Sequence, residues 1–344
     1  MLIWMRAESR PNEARTPMTP QGAAALVAKG WRVVVEESPV CCIPTNAYRD
    51  AGCDIAQTGT WPDAPDDAII LGLKELPEDG TPLRHTHIMF GHAYKGQPSG
   101  RILLDRFKAG GGTLLDLEYL LDDTGRRVAA FGYWAGYAGA ALSVMALGAQ
   151  RAGGMLAPVK AFPSAKAMAE TAKNSLSGSK ANALVIGALG RVGTGATDLC
   201  RAAGVDPTQW DMAETASGGP FPEILQHNIL LNCILARPGA PVFVQSDAGT
   251  TPRRLSVIGD IACDPDSAFS PIKVYDRATT WADPILRVHD TPPLDVMAID
   301  NLPSLLPLES TEDFAGQLLP HLKTLNAPDT GIWGRAKAIF GNHV

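Results

Sequence analysis

The stretch Ala183–Ala196, ALVIGALGRVGTGA, constrains the fold more than any other part of this chain. Four apolar residues, Ala183–Ile186, predict a strand; the glycines after them predict a sharp turn, and the small residues that follow predict a helix. The spacing departs from GxGxxG. With Gly190 and Gly193 as second and third glycines, the first place falls on Ala188, beside Gly187. The physical requirement survives. The turn is tight, the backbone at Gly190 lies open to a pyrophosphate, and Gly193 lets helix and strand close up. The helix start then offers amide N–H groups to phosphate. No Lys-Ser/Thr pair follows the glycines, so a Walker A loop is excluded. A dinucleotide site carries an acid about 20 residues further on, after the next strand. Asp211, in QWDMAET, stands there. Its carboxylate would accept hydrogen bonds from the adenosine ribose and repel a 2′-phosphate, which points to NAD rather than NADP. The competing reading is a turn with glycines for sharpness and a surface aspartate.

Strands and helices alternate before that turn. LIWMRA, WRVVVEE, AIILGLKE, HIMFGHA and GTLLDLEYL predict strands. TPQGAAALVAKG predicts a helix with Thr19 as N-cap, Pro20 in its first turn and Gly30 at its end. TNAYRDAG, closed by Gly52, and GRILLDRFKAGG predict two more. Such alternation implies βαβ units and a parallel sheet. YWAGYAGAALSVMALGAQRAGG predicts a buried helix joining two domains, and the polar residues 175–182 a surface connection. QWDMAET, ILLNCIL and RLSVIGDIACD predict further strands of a second unit, and the last forty residues predict helices. The expected fold is α/β: two Rossmann-like domains with parallel sheets and an interdomain cleft. Residues 1–128 with 305–344 would form the substrate-binding domain, and 129–304 the NAD-binding domain.

Composition removes several function classes. A length of 344 residues suits two domains better than one. A net charge of −6, with no basic run, argues against nucleic acid as a partner. The N-terminal apolar run stops at Arg6, short of a signal-peptide core, and no run approaches the roughly 18 residues of a membrane span. A soluble cytoplasmic protein is expected, without a membrane partner and as a monomer or weak homo-oligomer. The six cysteines include no CxxC, so zinc is not expected and reduced thiols are; spacing does not show whether Cys200 meets Cys233. His85 and His87 would share one face of a strand, but no acid or cysteine is spaced to complete a metal site, so a turn leading into a strand is expected.

Lys74 and His92 each follow an apolar strand, where ligands sit in open parallel sheets. A lysine among apolar walls or like charges has a lowered pKa, and histidine titrates near neutrality. Together they could move protons at physiological pH. Glu75, Glu118 (in the strand LLDLEYL), Arg15, Arg126 and Arg127 fall at similar positions, and an arginine cluster would suit a polycarboxylate. The competing reading is a solvated loop lysine and a satisfied turn histidine.

Eight stretches together resemble one family: RAESRPNEARTPMTP, IILGLKELPE, HIMFGHAYKGQ, GTLLDLEYL, GRRVAAFGYWAGYAGAAL, VIGALGRVGTGA, WDMAETASGGPF and IDNLPSLLP. The family is the lysine-forming, NAD-dependent saccharopine dehydrogenase of aminoadipate-pathway lysine metabolism. A more distant resemblance joins it to alanine dehydrogenase and the nicotinamide transhydrogenase domain. The resemblance implies the reversible reaction of saccharopine, NAD and water to lysine, 2-oxoglutarate and NADH. It implies that Lys74 deprotonates the secondary amine, that His92 is the acid/base in hydration and breakdown of the carbinolamine, and that Glu75 and Glu118 support them. It places substrate at Arg15, Gln97, Arg126 and Phe131. It places the cofactor at Gly187, Gly190, Arg191, Gly193, Asp211, Thr215, Leu235, Ile261, Ile299, Asp300 and Leu302. Two positions depart from the family pattern: Val192 replaces a cysteine in the glycine turn, and Leu235 replaces a tyrosine beside the nucleotide. The alternatives are a dehydrogenase of another amino acid or opine, and a non-catalytic nucleotide-binding regulator.

Overall fold

The computed structural model describes residues 1–344. They form two compact units: Met1–Ala130 with Pro307–Val344, and Phe131–Leu306. The first runs β1 (Leu2–Met5), α1 (Pro20–Val27), β2 (Arg32–Glu36), α2 (Thr45–Asp50), β3 (Asp54–Ala56), β4 (Ala68–Leu71), β5 (Thr86–Met89), α3 (Pro98–Gly110) and β6 (Thr113–Asp116). The sheet order is β3-β2-β1-β4-β5-β6, and every pair is parallel. The order reverses direction between β1 and β4, which makes the carboxyl ends of those two strands the ligand-binding crevice of such a sheet. Ile3, Val33, Val35, Ile70, Leu71 and Ile88 are buried, as the strands of a sheet covered on both faces must be. The Thr19 side chain accepts from Gly22 N and starts α1, and Gly30, at φ +84°, turns the chain toward β2.

The second unit runs α4 (Gly132–Arg151), α5 (Ala165–Ser175), β7 (Asn182–Ile186), α6 (Arg191–Ala203), β8 (Asp206–Trp210), α7 (Met212–Thr215), β9 (Ile229–Asn232), β10 (Val257–Asp260), β11 (Leu286–Asp290) and β12 (Pro293–Met297). Its sheet order is β11-β12-β10-β9-β7-β8, parallel except for the antiparallel edge pair β11/β12. The helix expected to join two domains, α4, lies wholly inside this unit and is its central buried helix. Its small residues have a steric cause. A Cβ at Gly136 would collide with the Val192 carbonyl, and one at Gly195 with the Tyr133 carbonyl, so α4 and α6 cross backbone to backbone.

Residues 307–344 return to the first unit as α8 (Pro307–Leu322) and α9 (Gly331–Gly341). α9 packs on the edge strand β6, with Phe340 edge-on to Phe107. That covers a ladder edge that would otherwise invite pairing. No helix is long and apolar enough to cross a membrane. All six cysteines are free thiols, Cys200 and Cys233 included.

Three local expectations need correction. Glu118 is not in a strand: β6 stops at Asp116, whose side chain accepts from Glu118 N and turns the chain into a 3-10 turn, Leu117–Tyr119. QWDMAET is not one strand: β8 ends at Trp210, and Asp211 caps α7 through a capping box with Glu214. The sheet of the second unit is not purely parallel, because β11 and β12 close its edge as a hairpin.

The α4/α6 crossing predicts that Gly136→Ala destabilises the protein by about 1–3 kcal/mol, through overpacking against backbone that has no rotamer to change. Gly316→Ala is the control. Gly316 lies inside α8 with open space around it, and alanine there should stabilise by about 0.5–1 kcal/mol. Urea midpoints of the two variants check both.

Candidate active site

The first unit builds its site from what leaves β1 and β4. The paired strands bring Met5 opposite Leu71, so the residues after each emerge together. Arg6, buried, lays its guanidinium over Gly72, where a Cβ would collide with it. Its Nη2 donates to the Lys74 carbonyl, and its Nη1 lies 3.5 Å from Glu8 Oε2. Glu8 accepts the amides of Leu73 (2.7 Å) and Lys74 (3.0 Å). The Lys74 peptide is therefore gripped at its N–H by a carboxylate and at its C=O by a guanidinium.

The Lys74 side chain sits in the field of a buried, bidentate pair. Arg15 Nε and Nη2 donate to Glu13 Oε1 and Oε2 at 2.7 and 2.6 Å. Burial pulls the Lys74 ammonium below its ordinary range, Arg15 pulls it further, and Glu13 and Glu75 oppose both. Burial pushes Glu13 up, but the Arg15 hydrogen bond and charge outweigh it and hold the carboxyl below its usual range.

His92 follows β5 with φ +48°, a left-handed backbone that histidine rarely adopts. Sparsely populated backbone of this kind costs about 1–3 kcal/mol and gathers at functional sites. Its Nδ1 lies 3.0 Å from Glu118 Oε2 and its Nε2 lies 3.2 Å from Glu75 Oε1. Lys95 donates to the other Glu118 oxygen at 2.7 Å. The Glu118 hydrogen bond raises the His92 pKa against the burial penalty, and the charges of Glu75, Glu118 and Asp116 add to it. Glu118 is held down at about 2, first by His92 and then, against burial, by Lys95. Glu75 links the two bases: it neighbours Lys74 in the chain and His92 in space.

A cavity of about 310 Å³ opens beside this cluster, lined by Arg10, Glu75, His92, Gln97 and Arg106 among others. Gln97 is the N-cap residue of α3. Arg126 lies on an exposed turn, its amide on Asp122 Oδ1, and does not line this cavity. Phe131 is the first residue of the second unit. Arg6, Glu8, Arg10, Glu13, Lys95 and Asp116 were not singled out from sequence. The one signal for the first four was the density of charge in RAESRPNEAR directly after a strand.

In the second unit the glycine turn fits a dinucleotide on steric grounds. Gly187 has φ +82°, and a Cβ there would collide with Ile234. Gly190 is the N-cap residue of α6, and only the Gly187 carbonyl, at 3.4 Å, would meet a Cβ on it, so its face is otherwise bare. A Cβ at Gly193 would collide with the Gly187 carbonyl, so α6 closes on the turn only without a side chain. Asp211 is half-buried; its Oδ2 accepts Leu189 N at 3.1 Å and its Oδ1 accepts Met212 N at 2.9 Å. The carboxylate is thus tied to the glycine turn, with acceptor capacity left for hydroxyls. Thr215 bonds back to the Asp211 carbonyl. Leu235 is exposed at the end of β9, Val192 packs against the core around α4, and Arg191 opens α6. The side chains of Ile261, Ile299 and Leu302 are buried in that core, and Asp300 is the exposed member of the Ile299–Leu302 segment. His85 and His87 are buried at β5, and no group of three or more metal-ligating side chains forms anywhere in the chain.

Comparison with known proteins agrees with this geometry. Residues 4–138 match the family described as Alanine dehydrogenase/PNT, N-terminal domain. A Yarrowia lipolytica protein named saccharopine dehydrogenase (NAD(+), L-lysine-forming) is 44% identical over 358 residues, covering 99% of this chain and 97% of that one. A protein of the same name from Emericella nidulans is 44% identical, again over 99% of this chain and 97% of the relative. A solved structure of an L-alanine dehydrogenase superposes with a TM-score of 0.71 over 100% of both chains at 16% identity, a likeness of fold. Two α/β units, a bare glycine turn and end-to-end identity at this level lead to one conclusion: the chain belongs to the family of NAD-dependent, L-lysine-forming saccharopine dehydrogenases.

Proposed function

We propose that this enzyme oxidises the secondary amine of L-saccharopine with NAD and water, giving L-lysine, 2-oxoglutarate and NADH, and catalyses the reverse reaction. The observation that carries the reading at the site is one linked pair of bases with opposite shifts. The Lys74 ammonium is easier to deprotonate than a free lysine, and the His92 imidazolium is harder to deprotonate than a free histidine. Lys74 takes the proton from the substrate's secondary ammonium. NAD held at the glycine turn and Asp211 would supply the acceptor for the hydride that leaves the carbon beside that nitrogen. Water adds to the resulting iminium carbon and releases a proton to solvent. Protonated His92 gives its proton to the departing lysine nitrogen, the C–N bond breaks, and the carbinol hydroxyl returns a proton to His92 as the keto group of 2-oxoglutarate forms. Glu118 and Glu75 keep the imidazolium populated for that step.

Arg15, Gln97, Arg126 and Phe131 are the proposed substrate contacts, with Arg10 added from the cavity wall beside Gln97. For the cofactor, Gly187, Gly190 and Gly193 leave room for a pyrophosphate at the start of α6. Asp211 would take the ribose hydroxyls, and Arg191, Thr215, Leu235, Ile261, Ile299, Asp300 and Leu302 complete the proposed set. The proposed partners are small molecules, and a cytoplasmic place of action fits six free thiols.

The test is NADH formation with saccharopine and NAD, with alanine, other opines and NADP in parallel. Turnover with saccharopine and NAD is expected, as is a fall of about 10²–10⁴-fold in kcat for Lys74→Met and for His92→Gln. NAD binding without turnover of saccharopine would sink the substrate assignment. Asp211→Ser should raise the use of NADP relative to NAD, measured as the ratio of kcat/KM values. Glu8→Ala leaves the buried Arg6 charge and two amides unpaired, so it should cost about 3–5 kcal/mol of stability in a urea titration.

A further inference from the structure

We propose that Asp116 is a positioning residue for this reaction: its Oδ1 sets Glu118 against His92, and its buried Oδ2 lies against the chain that leads into His92. The proposal rests on the saccharopine reading and deepens it. Asp116 ends β6 and is 1% exposed. Oδ1 accepts the Glu118 amide at 2.9 Å and so fixes the turn that aims Glu118 at His92 Nδ1. Oδ2 is buried with no hydrogen-bond partner. It faces the chain just before His92, since a Cβ placed on Gly91 would lie 3.3 Å from it.

Capping alone does not account for this residue. Asparagine or serine would hold the Glu118 amide without burying an ionisable oxygen, which costs free energy unless it is hydrogen-bonded or paired with a charge. Burial raises the Asp116 carboxyl to about 6, against the pull of the Glu118 and Gly91 amides and of His92. The groups around it are His92 from the end of β5, Tyr94 just beyond, and Glu118 and Tyr119 from its own turn, with Lys95 bonded to Glu118. Glu118 stays ionised because His92 and Lys95 hold it so. Asp116 and His92 therefore stand as a coupled pair, the carboxylate and the imidazolium each favouring the charged form of the other.

The experiment reads His92 itself. Its imidazole would be titrated by NMR in the full-length protein and in Asp116→Asn, with the resonance assigned from His92→Gln. The His92 pKa is expected to fall by about 0.5–1 unit in Asp116→Asn, as the loss of a nearby anion requires. With saccharopine, kcat should fall and its pH profile move in the same direction, while KM changes by less than about twofold. Asp116→Ser, which keeps a capping oxygen, should behave likewise and serves if Asp116→Asn does not fold. An unchanged His92 titration, or an unchanged kcat and pH profile beside active wild type, would reduce Asp116 to a turn cap and overturn the proposal. If the wild type does not turn over saccharopine at all, the reaction assignment fails, while the NMR titration still decides whether Asp116 and His92 are coupled.

Discussion

The grip of Arg6 and Glu8 on the Lys74 peptide is the interaction on which the first unit's site depends. Two opposite charges are buried at the switch point of a parallel sheet, and neither could be there alone. An isolated ion in such a place costs several kcal/mol, and the pairing offsets much of that cost, although Arg6 Nε stays buried without a partner. Arg6 spends donors on Glu8 and the Lys74 carbonyl, and Glu8 spends lone pairs on Arg6 and two amides. The strands supply the rest: β1 and β4 are neighbours in register, and Gly72 leaves the guanidinium its space. Lys74 is thereby held at its backbone, which leaves its ammonium free of structural duty.

The His92 side follows the opposite logic. Here the side chain is held and the backbone strained. Glu118 and Glu75 take one ring nitrogen each, so the imidazole is fixed as a double donor, and a left-handed φ at residue 92 is the cost of that pose. Holding Lys74 at its backbone keeps a flexible amine available. Holding His92 at its ring fixes both imidazole nitrogens against carboxylates. Glu75, placed between them, couples the two charge states.

Lys74, His92 and the glycine turn were legible because each follows directly from a short apolar strand, a local pattern. The clamp was not, because Arg6 and Glu8 act on residues more than sixty positions away, and only the pairing of β1 with β4 brings them there. Glu118 was placed in a strand because LLDLEYL continues the apolar pattern; the Asp116 side chain overrides it by taking the amide two residues on. The hairpin β11/β12 was missed for a related reason. PLDVM carries charge inside, since Asp295 is 1% exposed and bonded to Arg287 and Gln150, and so lacks the apolar alternation of a strand. In each failure a polar side chain with a specific partner outweighed local propensity.

The two units use one sheet architecture for two kinds of recognition. Each has a direction-reversing strand order, between β1 and β4 in the first and between β7 and β9 in the second. At that point the first unit gathers charged side chains, Arg6 on Glu8 and Arg15 on Glu13, with Lys74 in the field of the second pair. The second removes them: Gly187, Gly190 and Gly193 leave backbone where the first has charge. The difference suits the ligands proposed for the two units. A dinucleotide presents phosphates, which N–H groups at a helix start can hold without a charge of their own. A secondary amine must lose and regain protons, and only titratable side chains can move those. Val192 fits this division. Its place in the turn packs against α4 and takes no part in a phosphate cradle made of bare backbone, so the loss of the family's cysteine there leaves the cradle whole.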